Sequence, residues 1–280
     1  MSKNFTYPHG PLSWIASPND FTGSNNLGIY AQETTQRYIY GTRYIMWDGR
    51  VFKYGNAVTA LRSSFGAANY TSNATQNGAA LPTAIVAGDR TVQITIANTN
   101  GYGGGAIAEN ELAGSYLEIQ CTDCPAITRG IVGNDYVSTA GGVINVTLDF
   151  PVPQAYPTSG SWCDMILNPY RYLGNIEGSS NLGYQAWMGI PVDDITATYN
   201  CWIQTWGPCY VVAGGGDSTP GDTAGDRTVY FVGDGSINGG TAVTIESGFQ
   251  KAGFIIDATA TIAGGSAGGG VPIVMLQISI

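Results

Sequence analysis

The chain has 280 residues, enough for one large β domain or two smaller ones around a substantial core. Its formal charge is −9, and its eleven Lys and Arg are spread thinly, so no basic stripe could neutralise a phosphate backbone; this argues against nucleic-acid binding. No continuous apolar leader region opens the chain and no segment reaches the roughly 18 apolar residues of a membrane-spanning helix, which predicts a protein with no Sec-type signal and no membrane partner.

Residues 1–36 hold Pro8, Pro11 and Pro18 among many Asn, Ser and Gly, the composition of an extended N-terminal arm. Trp14, Phe21 and Tyr30 make the arm too aromatic for a plain linker and are candidate interface residues, facing the chain's own domain or a neighbouring subunit. A main β domain is expected over 37–214, opening with a hairpin at 38–55. There Asp48-Gly49 lies between two aromatic and β-branched runs, which predicts a two-residue type I′ turn pairing Trp47 with Arg50, Ile45 with Phe52 and Arg43 with Tyr54. In that register Trp47 lies over the Arg50 guanidinium.

The small, polar stretch at 56–85 reads as a connector with no more than one helical turn, and 86–214 as a β-sandwich or barrel. Strands are expected near 90–97, 115–121, 143–150, 162–167, 197–205 and 209–213, where Val, Ile and Thr are enriched with partial alternation. "GAIAENELAGSY" predicts a short helix or turn ahead of the strand at Tyr116. Beyond a soft boundary at 215, further strands near 227–232, 241–246, 252–258 and 271–280 form a small C-terminal β subdomain over 215–280. Gly and Pro punctuate the sequence about every ten residues, the pattern of an all-β sandwich or barrel-like fold.

The hexapeptide "AGDRTV" occurs at 87–92 and again at 224–229. In both copies Gly-Asp suits a turn and Arg-Thr-Val the start of a strand, and neither has a His or Cys beside it, so a repeated turn device is expected. Five cysteines are an odd number for a secreted disulfide framework, and most are expected to be reduced. "CTDC" at 121–124 has the spacing of a redox pair or half a zinc site, but no second close pair follows; two cysteines flanking a turn between strands is the simpler reading.

The only histidine, His9, lies in the arm, which argues against His-based metal clusters and nucleophilic triads. Asp193 and Asp194 are adjacent and in an extended chain point to opposite faces, the wrong arrangement for a glycosidase pair. Glu109 and Glu111 are expected on a surface turn, and the sequence identifies no catalytic partner for Asp164 or Glu177. Asp234, Ser236, Asn238 and Gly239 imitate the start of a calcium loop, yet Ile245 stands where its closing Glu is required. No catalytic, cofactor or metal residue is therefore assigned, and no enzyme is expected.

Seventeen Tyr and six Trp stand against few charges. Trp202 and Trp206, four apart, are expected on one strand face in the core, whereas Tyr170 and Tyr172, after Asn168-Pro169, are expected in a surface loop as further interface candidates.

Several segments, in order, resemble a family of structural proteins encoded near the capsid genes of tailed bacteriophages. They are "YGTRYIMWDGRVFKY", "GDRTVQITIANTNG", "LAGSYLEIQ" with "RGIVGN", "NVTLDFPVP", "LNPYRYLGN", "GIPVDDITATYNCWIQTWGPCYVV" and "VPIVMLQISI", over most of 38–280. "WIQTWGPC" before a Gly-rich turn is the most specific of them. The resemblance implies a non-enzymatic virion component on the capsid surface, assembled in the host cytoplasm. A head decoration or auxiliary capsid protein of this kind has the major capsid protein and copies of itself as partners, with a trimer favoured. A carbohydrate-binding adhesin or tail fibre module with host glycans as partner is the alternative, and a glycosidase the most remote reading.

Overall fold

Alternating β-branched residues decide the architecture, and the chain is all-β. A computed structural model describes residues 28–69, 76–97, 106–175, 186–214, 220, 227–239, 250–259 and 271–279, and among these there is no α-helix. The first strands are β1 (Gln32–Glu33), β2 (Arg43–Ile45), β3 (Val51–Asn56) and β4 (Ala67–Asn69). Next come β5 (Gln76–Ala80), β6 (Thr91–Ala97), β7 (Tyr116–Cys121), β8 (Cys124–Asn134), β9 (Gly141–Leu148) and β10 (Ser161–Ile166). The remainder are β11 (Leu173–Gly174), β12 (Trp187–Pro191), β13 (Asn200–Tyr210), β14 (Thr228–Phe231), β15 (Ile237–Gly239), β16 (Lys251–Thr259) and β17 (Val271–Gln277).

The chain divides into two units, and not at residue 215. One is built around Thr71–Asn168, and the other joins the chain before it to Pro169–Ile280. The expected C-terminal subdomain is corrected by pairing across the supposed boundary: β17 is hydrogen-bonded to β13, Tyr210 opposite Ile273 and Trp206 opposite Gln277. The expected arm is corrected at its end, since Gln32 of β1 pairs with Cys201 of β13 and so belongs to the sheet.

The inserted unit is a nearly closed antiparallel barrel in the order β5-β10-β7-β8-β9-β6. Strict alternation fills it: Val92, Ile94 and Ile96 of β6, Leu117 and Ile119 of β7, Ile144, Val146 and Leu148 of β9, and Cys163 and Met165 of β10 are buried. The intervening Thr91, Thr95 and Glu118 face outward. β8 escapes sequence reading because Pro125, Gly130 and Gly133 interrupt it. It bends between two neighbours, pairing first with β7 and then, past a register shift, with β9. The stretch at 108–112 is a turn, held by Glu111 Oε2 accepting from Ala108 N at 2.5 Å.

"AGDRTV" acts as a turn device in its first copy. Gly88 has φ +98°, Asp89 Oδ2 accepts from Val86 N at 2.8 Å, Arg90 donates to Leu148 and Asp149 carbonyls, and Thr91 opens β6. In the second copy Thr228 likewise opens β14, while 224–226 lie outside the described residues. Cys121 and Cys124 face each other across the β7–β8 turn, joined as a disulfide; Cys163, Cys201 and Cys209 are buried thiols.

The other unit is an eleven-stranded half-barrel, ordered β11-β4-β12-β13-β17-β16-β14-β15, with β1, β2 and β3 attached beside β13. β13 is one strand where two were expected. Pro208 is accommodated because the β3 and β12 pairings end by Trp206, leaving β17 as the ladder neighbour there. The connector expected at 56–85 holds β4 and β5; Ala-rich segments without β-branched residues give no strand signal, and β4 is placed by its pairing with β11 and β12. The expected strand at 241–246 lies outside the described residues.

Two apolar clusters fill this unit. In one, Tyr38, Tyr40, Tyr44, Phe52 and Tyr54 surround Trp202, with the Tyr54 and Trp202 ring centres 5.2 Å apart at 60°. The other gathers Trp187, Val229, Phe231, Ile237, Val274 and Leu276. Trp206 is a correction: a bulge between Gln204 and Trp206 turns it to the opposite face from Trp202, where it is half-buried.

The β2–β3 hairpin also differs from expectation, by one residue. Arg43 faces Lys53, Tyr44 faces Phe52 and Ile45 faces Val51. The loop therefore has three residues: Gly49 N donates to Met46 O, Met46 N donates to Arg50 O, and Gly49 alone takes the left-handed conformation, φ +85°. Asp48 prevents the type I′ turn by accepting from Arg50 N (3.1 Å) and Nε (2.7 Å). The guanidinium accordingly lies 5.8 Å from the Phe52 ring, and Trp47 is left free.

Candidate interaction surface

Period-two alternation places one face of β13, β17, β16 and β14 on the core. Cys209, Val274 and Ile255 form one buried row, and Leu276 and Val229 continue it. The opposite face is also apolar. Register aligns Pro208, Met275, Phe254 and Thr228 across four strands, with Pro208 and Phe254 exposed and Met275 and Thr228 half-buried. Tyr210 and Ile273 form an exposed pair on one side of this row, and half-buried Trp206 faces Gln277 on the other. Charges stand at its margins: Asp257 opposite Ile273 and Lys251 opposite Tyr230, both exposed.

The four strands are paired in turn, with register shifts in both pairings of β16, and Gly253, φ +156°, is required where a Cβ would stand 2.0 Å from Met275 O. A sheet apolar on both sides has one face more than its own core requires, and such patches mark sites of association.

A second feature is Trp47, 94% exposed at the tip of the β2–β3 hairpin. The Asp48–Arg50 ion pair and the Gly49 turn fix the loop that carries it. The Asp48 carboxyl is held below its ordinary range by hydrogen bonds from Arg50, against the opposing effect of desolvation.

The residues expected at an interface fare differently. Trp14 and Phe21 lie outside the described residues. Tyr30, at the end of a 3-10 turn (Gly28–Tyr30), is 49% exposed. Tyr170 is a correction: only 7% exposed, it packs in the Trp202 cluster, and its hydroxyl lies 3.0 Å from Ser279 Oγ. Asn168-Pro169 signals a turn correctly, but the chain after it folds back over β3, where Tyr170 O accepts from Asn56 N. Tyr172 is half-buried, with the Arg171 guanidinium 5.5 Å from its ring. Tyr30, Tyr170 and Tyr172 are not among the aligned residues of the β13–β17–β16–β14 face. That face was missed because it emerges only when four separate strands are put in register.

The carboxylates weighed for chemistry cap turns. Asp194 Oδ1 accepts from Ser63 N at 2.7 Å, which lowers its pKa, and Asp193 Oδ1 accepts from Asp194 N. Asp234 Oδ1 accepts from Ser236 N at 2.9 Å and from Ser236 Oγ, so the calcium-like motif is the tip of the β14–β15 hairpin. Among the described residues no three His, Cys, Asp or Glu gather to hold a metal ion.

Fold and surface together define an all-β protein of two units, one of which carries a broad uncharged sheet face. Compared with known proteins, the chain matches no family model, no curated protein and no solved structure.

Proposed function

We propose that this chain is a non-enzymatic virion structural protein of a tailed bacteriophage, a head decoration or auxiliary capsid protein that associates with copies of itself and with the major capsid shell. The observation that carries this reading is the uncharged row Pro208, Met275, Phe254 and Thr228 on the outer side of a sheet whose inner side is already core. The ordered segments resembling capsid-associated proteins supply the class of partner. A shell offers many equivalent sites, so an apolar patch of modest affinity is enough when each subunit is held by several neighbours. Mass spectrometry of purified particles tests it. The expected result is on the order of tens to hundreds of copies per particle, as repeated modest contacts require, and a handful or none defeats the proposal.

One observation favours a second reading, a sugar-binding adhesin or tail fibre module: the fully presented indole of Trp47, which can stack on a sugar ring. A glycan array probed with the protein and with Trp47→Ala separates the two readings. Binding lost in the variant supports the adhesin, and an array blank for both removes it.

A further inference from the structure

Only eleven residues of this chain are Lys or Arg, against twenty Asp and Glu, yet two of the eleven are set directly opposite each other. Arg43 of β2 faces Lys53 of β3. Backbone bonds link Met46 with Arg50 (2.9 Å) and Thr42 with Tyr54 (3.0 Å), so by antiparallel alternation the Arg43–Lys53 pair is one without ladder bonds of its own. Side chains approach most closely in such pairs, and like charges there are destabilising.

Neither cation is simply a solvated surface group. Both are half-buried, and across the strand from Lys53, on β13, stands Ile203, which is fully buried. The neighbouring cations are satisfied, Arg37 by Glu33 and Arg50 by Asp48. Arg43 and Lys53 have no carboxylate at ion-pair distance among the described residues. Burial first, and the Arg43 charge second, hold the Lys53 ammonium below its ordinary range.

We propose that Arg43 and Lys53 form an oxyanion site in which a single carboxylate or phosphate group accepts hydrogen bonds from the guanidinium and the ammonium together. The planar guanidinium fork engages two oxygens and the ammonium adds a point charge on the same group. An anion placed there turns a like-charge repulsion into two charge-assisted attractions. A free phosphate can occupy the site, as can a carboxylate presented by a second copy of this acidic chain.

The test is the melting temperature of the full chain titrated with inorganic phosphate at constant ionic strength, with chloride as the matched salt and acetate as a parallel arm. Phosphate should give a rise that saturates in the millimolar range, on the order of a few degrees for a chain of this size. Lys53→Met and Arg43→Gln should each abolish that rise, and Lys53→Met should melt above the wild type in chloride because the repulsion is gone. An equal rise with acetate supports the site as one that also takes carboxylates; a rise with phosphate alone supports it as a phosphate site. Dissociation of wild-type oligomers by phosphate in sedimentation velocity supports a carboxylate from another copy as the occupant, whereas unchanged sedimentation with a persisting melting shift supports the free ion. Coincident phosphate and chloride curves for the wild type overturn the proposal, as does an undiminished phosphate effect in either variant. The wild-type comparison stands alone should a variant fail to fold.

Discussion

Two hairpins of this protein turn on the same three-residue device. In Met46-Trp47-Asp48-Gly49-Arg50 and in Val232-Gly233-Asp234-Gly235-Ser236 the Asp carboxylate accepts from the backbone N–H two residues on, and the Gly is left-handed, φ +85° and +84°. Gly49→Ala meets nothing within 4 Å and should cost about 1 kcal/mol of backbone strain alone. At Gly235 a Cβ also meets Gly66 O at 2.7 Å, so Gly235→Ala should cost clearly more; denaturant melts of the two variants test this ordering. Sequence alone revealed the Asp48-Gly49 turn but not its length. The competition between a type I′ turn and an Asp-capped loop is settled by a side-chain hydrogen bond, and a one-residue change moves every neighbour to the other face. The thiols give a second residue-scale prediction. Burial pushes Cys163, Cys201 and Cys209 up to about 12, with the Asp164 charge adding to the effect at Cys163. Their folded pKa values lie above the ordinary 9.0, so their contribution is complete below pH 9 and is lost as pH climbs from there toward 12. Lys53, with its lowered pKa, acts in the opposite sense, gaining stability as pH rises toward 10.5. The thiols outnumber it, so urea melts between pH 8 and 10.5 should show stability falling, and a level or rising curve contradicts their burial. A thiol reagent should find none of the three free cysteines reactive in the native protein and all three after unfolding.

At the scale of the element, the strands best read from sequence are those whose Val, Ile and Thr alternate with polar residues over one buried face, such as β6 and β9. Where Gly and Pro interrupt the pattern, as in β8, or where small residues carry no preference, as in β4 and β5, partners decide the structure and the sequence is silent. The apolar outer face of β13, β17, β16 and β14 was illegible for the same reason. Met275 and Phe254 each look like ordinary strand residues, and their shared orientation follows from a register fixed elsewhere in the sheet. Phe254→Glu alters an exposed side chain and should shift stability by about 0.5 kcal/mol or less. Under the proposed capsid function it should nevertheless lower the copies bound per particle at least tenfold by burying an unpaired charge against the partner. Equal incorporation of variant and wild type, measured on purified particles, removes this face from the account.

At the scale of the whole molecule, the chain leaves its half-barrel after β4, builds a second β unit, and returns at Pro169 to finish the first. Sequence could not reveal this insertion, because both units are made of the same Gly-punctuated strands, and the small, polar stretch that spans the first crossing reads as a connector within one domain. The boundary expected at 215 does not divide the sheet, since β13 before it pairs with β17 well beyond it. The all-β class, by contrast, was written throughout the chain in β-branched residues and turn signals. The central claim is that the outer face of β13, β17, β16 and β14 is covered by protein in the assembled particle. A reconstruction of the intact particle with this chain located tests it directly: the account predicts Pro208, Met275 and Phe254 buried against a neighbouring subunit, and the same residues open to solvent, or a particle without the chain, would contradict it.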